Sequence, residues 1–140
     1  MAERGHTIIM GCRTLEKATD AANRIQSELA VSLPNQKINL IPKECNLADL
    51  NSIKQFTKDI TESDGTTSID ALCLNAGLAR NTGAKDVLRT KEGYELTIGT
   101  NHLGHFYLTQ GLLPLLEKGS DKGKRIVVTA SGGKRHLCYL

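Results

Sequence analysis

The sequence predicts an α/β fold built on a parallel sheet. Four short runs rich in Val, Ile and Leu lie at residues 7–12, 37–41, 69–74 and 125–130. Helical patterns separate them, so the order is strand, helix, strand, helix, strand, helix, strand. The chain has 140 residues, 39% hydrophobic and 24% charged, which suits one ordinary globular domain spanning residues 1–140. Right-handed crossovers are expected between the parallel strands.

The first run opens a βα unit. Leu15, Ala18, Ala22, Ile25 and Leu29 step by three or four, forming one face of an amphipathic helix. Thr14 stands where an N-cap belongs, and Pro34 follows the helix. The second and third runs are nearly continuous in apolar character, as in strands covered on both faces. Between them Leu50, Ile53, Phe56 and Ile60 repeat the helical spacing, with Asp49 as cap and Gly65 just past the end. Residues 75–90 read as a loop containing Gly77 and Gly83. A longer helix is predicted over residues 91–117, capped by Thr90 and bent near Pro114. No leucine-rich or ankyrin consensus recurs at the roughly 30-residue spacing of the units.

Composition narrows the function classes. The net charge is +3, and residues 117–140 hold six basic and two acidic residues. Aromatic residues make up 4% of the chain, too few for base stacking, and no dense basic face is evident, so nucleic acid is not an expected partner. No apolar run reaches the ~18 residues of a membrane span. Residues 1–10 contain Glu3, Arg4 and His6 and lack the apolar core of a secretory signal. A cytoplasmic location is expected, with a plastid as the alternative. Cys12, Cys45, Cys73 and Cys138 form no C-x-x-C pair, and the first three fall in or beside strand-like runs. They read as buried thiols of a reducing compartment.

Ligands of open α/β sheets bind at the carboxyl ends of the strands, so the residues after each strand matter most. After the first comes Arg13, either a solvated strand-end residue or a planar fork for phosphate oxygens. After the second come Asn46 and Leu47; the Asn46 amide suits either a turn or the edge of a purine. After the third, Asn75, Ala76 and Gly77 form either an ordinary turn or a small-residue stretch that lets a ligand approach the backbone. Within the long helix lies Asn101, a poor helix former, with His102 and His105 three apart on one face. No third metal ligand accompanies the two histidines, and no metal is expected. After the fourth strand Ser131, beside Gly132 and Gly133, can present a hydroxyl to a substrate. No G-x-S-x-G hydrolase elbow is present. A phosphoacceptor domain would need paired aspartates at strand ends, and Asp70 stands at a strand start instead.

In that order, Arg13, Asn46-Leu47, Asn75-Ala76-Gly77, Asn101-His102-Leu103-Gly104-His105-Phe106 and Ser131 after Arg125-Ile126-Val127-Val128 form one pattern. The chain resembles the short-chain dehydrogenase/reductase family across nearly its whole length, in the branch that includes retinol dehydrogenases and protochlorophyllide reductases. The resemblance implies a Rossmann-type, doubly wound parallel sheet that binds a nicotinamide cofactor. Arg13 matches the position that favours the 2′-phosphate of NADP over NAD. Asn46 matches an acidic position that bonds the adenine amino group, a bond its carbonyl oxygen can also accept. Asn75, Ala76 and Gly77 match the loop beside the adenosine ribose. Asn101 matches the helix Asn that supports the family's catalytic lysine through a water relay, and Ser131 the serine that polarises the substrate oxygen. The implied reaction is hydride transfer between NADPH and a carbonyl or alcohol on a small, lipophilic substrate.

Two family features do not appear in these residues: the T-G-x-x-x-G-x-G phosphate loop and the Y-x-x-x-K pair. The resemblance places the sheet's central strand, and with it that loop, ahead of residue 7, and further strands after residue 130. An incomplete sheet is therefore expected, as two strand pairs with no shared neighbour. Unpaired buried backbone groups cost ~1–3 kcal/mol each against a domain stability of ~5–15 kcal/mol. Marginal stability and no turnover are expected of these residues alone. The competing expectation is a non-catalytic module that keeps part of a nucleotide pocket, or that pairs with a full-length family member in a homo- or hetero-oligomer.

Overall fold

The computed structural model describes residues 1–63, 65–79, 86–119 and 124–130. A short 3-10 turn (Ala2–Arg4) leads into β1 (Thr7–Cys12), α1 (Leu15–Ser32) and β2 (Asn39–Glu44). Then come α2 (Leu50–Lys58), continued by a π turn (Asp59–Ser63), and β3 (Ala71–Leu74). The last helical stretch consists of α3 (Leu96–Ile98), a π segment (Gly99–Gly104) and α4 (His105–Glu117), followed by β4 (Arg125–Val128).

The strands form two parallel pairs, β1 with β2 and β3 with β4, and no strand belongs to both. Thr7 faces Asn39 and Cys12 faces Glu44 in the first pair; Ala71 faces Arg125 and Leu74 faces Val128 in the second. The Asn39 side chain reinforces the first register by donating to Thr7 Oγ1 at 2.9 Å. β2 lies two to three residues later than the 37–41 run and includes Pro42. A strand with one neighbour leaves half its backbone groups unpartnered, so the missing Pro42 N–H is tolerated there.

Strand alternation sends side chains to two layers. Ile9 packs on the main core, together with Leu72 and Leu74 from β3. Ile8 and Met10 face the other way and line an apolar groove with Leu40 and with Ile25 and Leu29 of α1. Helices therefore lie on both faces of the β1–β2 pair, as in a doubly wound fold. Thr14 caps α1, its Oγ1 accepting from Lys17 N at 3.3 Å, and Ala18, Ala22 and Leu29 are buried beneath that helix.

The main core joins Cys45, Leu47, Ile53, Phe56, Ile60, Leu74, Leu108, Leu112 and Leu115. Ile53, Ile60 and Leu112 are almost fully enclosed, and each such side chain contributes about 1.5–3 kcal/mol relative to exposure. This core lies between α2, α4 and the strands, and it links the two strand pairs that hydrogen bonding leaves separate.

Three expectations are corrected. The long helix begins at Leu96, not at residue 91. A tight turn precedes it: Thr90 N donates to Tyr94 O at 2.8 Å, and Gly93 takes φ 89°, a left-handed conformation that excludes a helix there. Glu95, not Thr90, caps the helix by accepting from Ile98 N at 2.9 Å. Secondly, β3, the third run, is not covered on both faces. Leu72 and Leu74 use one face of β3, which leaves Cys73 exposed on the other, and all four residues of β4 are exposed. Thirdly, the cysteines are therefore not uniformly buried: Cys45 is buried, Cys12 half-buried and Cys73 exposed. Cys138 lies outside the described residues.

Candidate functional site

Both strand pairs run parallel, so their carboxyl ends carry the loops predicted to hold a ligand. At the first edge, β1 and β2 end in register, and Cys45 N continues their ladder by donating to Cys12 O at 2.6 Å. Arg13 follows β1 directly and is exposed. Among the described residues no carboxylate pairs with it. Asn46 follows β2 and is half-buried. Its Oδ1 accepts from Ala48 N at 3.1 Å, closing an Asx turn, while its N–H donates to Ser52 Oγ at 3.0 Å. A carbonyl oxygen has two lone pairs, so Asn46 Oδ1 keeps one acceptor site beyond this turn. Asp49 then caps α2, its Oδ1 accepting from Asn51 N at 3.0 Å and Ser52 N at 3.3 Å.

The turn at residues 90–93 braces this edge. Lys91 N donates to Ala48 O at 3.1 Å, and Lys91 Nζ pairs with Asp49 Oδ2. Glu92 Oε1 accepts from Leu50 N at 2.8 Å, which satisfies a second donor at the start of α2. The hydrogen bond and charge of Lys91 hold the Asp49 carboxyl below its ordinary value, and the same pairing raises the Lys91 ammonium. Beside this edge, burial and the neighbouring Cys12 push the Cys45 thiol up to about 12.

At the second edge, Thr129 N extends the β3–β4 ladder to Leu74 O at 3.0 Å. Its hydroxyl donates to Asn75 Oδ1 at 2.9 Å, joining the two strand ends through side chains. Asn75, Ala76 and Gly77 are all exposed. Asn101 holds this loop from the helix. Its Oδ1 accepts from Leu78 N at 2.9 Å and its Nδ2 donates to Leu78 O at 2.7 Å. One amide side chain thus satisfies both backbone groups of the residue that follows Gly77. Asn101 lies within the π segment, a distortion that recurs at functional positions of helices.

Leu47 is placed differently from its expected role. It is buried, and its carbonyl lies against Gly104, where an added Cβ would sit 2.4 Å from Leu47 O. The glycine lets the π segment rest directly on the loop after β2. Asn101 and Asn46 are therefore carried by segments that touch. His102 is exposed and His105 buried, so the two histidines do not share one environment. Among the described residues no cluster of His, Cys, Asp and Glu could hold a metal ion. Ser131 lies outside the described residues.

Sequence reasoning missed Thr129 and the Lys91–Glu92 brace. Thr129 was read as a strand residue, yet a threonine one position past a strand, opposite Asn75, is a side-chain link in waiting. The brace carried the signal of two charged residues before Gly93, which the helix prediction absorbed.

The sequence profile of the short chain dehydrogenase family matches residues 1–137. The chain belongs to the short-chain dehydrogenase family. Within it, the chain is 36% identical over 131 residues to retinol dehydrogenase 14 of Mus musculus, covering 91% of this chain and 37% of that protein. It is 38% identical over 132 residues to the chloroplastic protochlorophyllide reductase of Cucumis sativus, covering 94% of this chain and 30% of that one. The chain thus spans about a third of the length of these relatives. Among solved structures, a protein from Mycobacterium paratuberculosis matches at 37% identity with a TM-score of 0.58, over 81% of this chain and 35% of that one. The NADP complex of Pseudomonas aeruginosa RhlG matches at 20% identity with a TM-score of 0.68, over 91% of this chain and 45% of that one, a likeness of fold. The fold of this family member is the Rossmann type, seen here as two parallel strand pairs, the first with helices on both faces. No described helix is long and apolar enough to cross a membrane.

Proposed function

We propose that these residues carry the adenosine side of an NADP(H) site in a short-chain oxidoreductase. The observation that carries the reading is that the loops after β2 and β3 both rest on one π segment, through Leu47–Gly104 and Leu78–Asn101, with Arg13 at the neighbouring end of β1. Related folds support the cofactor: RhlG is described with NADP, and an alcohol dehydrogenase from Thermococcus sibiricus with 5-hydroxy-NADP.

The residues present fit the adenosine end of such a cofactor. Arg13 is exposed at the carboxyl end of β1, where its planar guanidinium can hold a 2′-phosphate by two parallel N–H···O bonds. Asn46 Oδ1 offers its second lone pair to the adenine amino group. Asn75, Ala76 and Gly77 leave open backbone for the ribose. When bound, the cofactor supplies the hydride that reduces a carbonyl or accepts one from an alcohol. Asn101 holds the loop beside the ribose, and Ser131 is proposed to bond the substrate oxygen. The relatives named for retinol and protochlorophyllide support a lipophilic substrate for the whole protein.

Calorimetric titration of the chain with NADPH and NADH tests the reading. NADPH is expected to bind more tightly than NADH, and Arg13→Ala to remove the difference. Equal affinities for the two cofactors in the unaltered chain would remove the role given to Arg13. A second reading, a subunit-interaction module, is favoured by Ile126, Val127 and Val128, which stand exposed on β4. Sedimentation equilibrium decides it: self-association, or association with a full-length relative, supports that reading, and a strictly monomeric chain counts against it.

A further inference from the structure

We infer that His105 is a positioning residue for the nucleotide site, acting through Asn101. The inference rests on the reading of Asn75-Ala76-Gly77 as a ribose-side loop. In a regular α-helix the N–H of residue 105 bonds the carbonyl of residue 101. Here His105 N–H donates instead to His102 O, three residues back, at the end of the π segment. The His105 ring takes the vacated partner: its Nδ1 lies 3.1 Å from Asn101 O. A carbonyl only accepts, so this nitrogen carries the proton and the bond selects the Nδ1–H form of the ring. His105 is only 8% exposed, so the ring is confined by packing as well as by the bond.

The consequence runs through one residue. Asn101 is held at its backbone by His105 and reaches with its side chain to both backbone groups of Leu78. Leu78 directly follows the Asn75-Ala76-Gly77 loop. The sequence His105 ring, Asn101 carbonyl, Asn101 amide, Leu78 backbone is therefore one line of hydrogen bonds from the buried side of the helix to the ligand edge. His102 sits one residue from Asn101 but is exposed, so it serves as the control.

Three variants test this: His105→Ala, His105→Leu and His105→Asn, with His102→Ala beside them. The asparagine carries an N–H donor at the same distance along the side chain as Nδ1; the leucine fills much of the space without one. Amide hydrogen exchange of Leu78, read by NMR in the absence of any nucleotide, is the first measurement. Loss of one bond in the line is expected to speed that exchange about tenfold in His105→Ala and His105→Leu. The Leu112 and Leu116 amides should keep their protection, and His105→Asn should restore Leu78. The second measurement is the NADPH dissociation constant, expected to rise about tenfold in the same two variants and to recover in His105→Asn. Unchanged Leu78 exchange in His105→Leu, or an asparagine variant as impaired as the leucine, overturns the role. If His105→Ala loses protection everywhere, the leucine and asparagine variants decide. If the unaltered chain binds no NADPH, the nucleotide reading fails, while the exchange arm still judges His105.

Discussion

Replacing Gly104 by alanine probes the contact that seats the helix on the loop after β2. An added Cβ would lie 2.4 Å from Leu47 O, 3.0 Å from Leu47 Cβ and 3.2 Å from Leu47 C. Two of these atoms are backbone, so no side-chain rotation relieves the clash. Normal carbon contacts begin near ~3.5 Å, so the helix and loop must part by about 1 Å. Overpacking of this kind costs about 1–3 kcal/mol. Alanine recovers about 0.5–1 kcal/mol by its better helix propensity. Because the clashing atoms are backbone, the cost sits in the upper half of that range, and a net loss of about 1–2 kcal/mol remains. With an unfolding entropy of ~2.1 cal/mol/K per residue, this chain loses roughly 3–7 °C in Tm. Circular-dichroism melts of the two proteins side by side give the answer. Gly77→Ala is the companion variant, because its added Cβ would stand 3.6 Å from the nearest atom, an ordinary contact. A Gly104→Ala Tm equal to or above that of the parent would refute the close approach and with it the seating of the helix.

Asp49→Ala removes a helix cap and an ion pair together, and should destabilise the chain by about 1–2 kcal/mol in urea titration. Asp49 has a lowered folded-state pKa, so its contribution is complete above its ordinary value of 3.8 and disappears as pH falls through the lower folded value. Lys91 has a raised folded-state pKa, so its share is complete below 10.5 and is lost as pH rises through the higher folded value. Denaturation midpoints measured at stepped pH should therefore fall at both extremes in the parent and flatten in Asp49→Ala. Arg13→Ala should weaken binding of adenosine 2′,5′-bisphosphate by about 10- to 100-fold, the worth of a charged hydrogen-bonded pair, and leave AMP binding unchanged; an equal loss for both nucleotides would place Arg13 away from the 2′-phosphate. Thiol alkylation at pH 8, followed by peptide mass analysis, should label exposed Cys73 before Cys45, whose thiol is buried and pushed up to about 12. The reverse order would contradict the core described around Cys45.

Much of this fold was legible because its elements obey local rules. Thr14 and Asp49 cap helices with side chains that the sequence alone identifies, and the apolar spacings after them fall largely on the buried faces, with Leu15 an exposed exception. The separation into two strand pairs was also legible, through the family pattern. Boundaries were less so where tertiary context overrode local signals. The predicted second run ends at residue 41, just before Pro42, yet a strand with a single neighbour accommodates that proline. Gly93 reads as one weak residue inside a helix, yet its left-handed turn moves the helix start to Leu96. Cys73 reads as core because its run is apolar, but burial of one strand face is decided by which helices arrive to cover it. For the candidate site, Arg13, Asn46, Asn75 and Asn101 are chosen by residue type and place, and the structure puts the first three at strand ends and Asn101 on the helix beside them. Their partners were not legible, because Leu78 and Ala48 contribute backbone groups, which carry no signature in a side-chain code. Leu47 shows the converse: a position chosen for a ligand turns out to be a bearing surface for the helix.

The two strand pairs share no ladder, so the spacing between them is set by helix packing and by a few backbone contacts outside the sheet. Ile53 and Phe56 of α2 press on Leu108, Leu112 and Leu115 of α4, and Leu47 meets Gly104 without a side chain between them. In mechanical terms the molecule is a pair of jaws with an oily pivot. A methylene removed at Leu112 does more than open a cavity; it changes the gape between Asn46 on one jaw and Asn75 on the other. Substitutions far from any nucleotide would then tune its grip, and a ligand that touches both jaws would stiffen a joint that no sheet ladder spans.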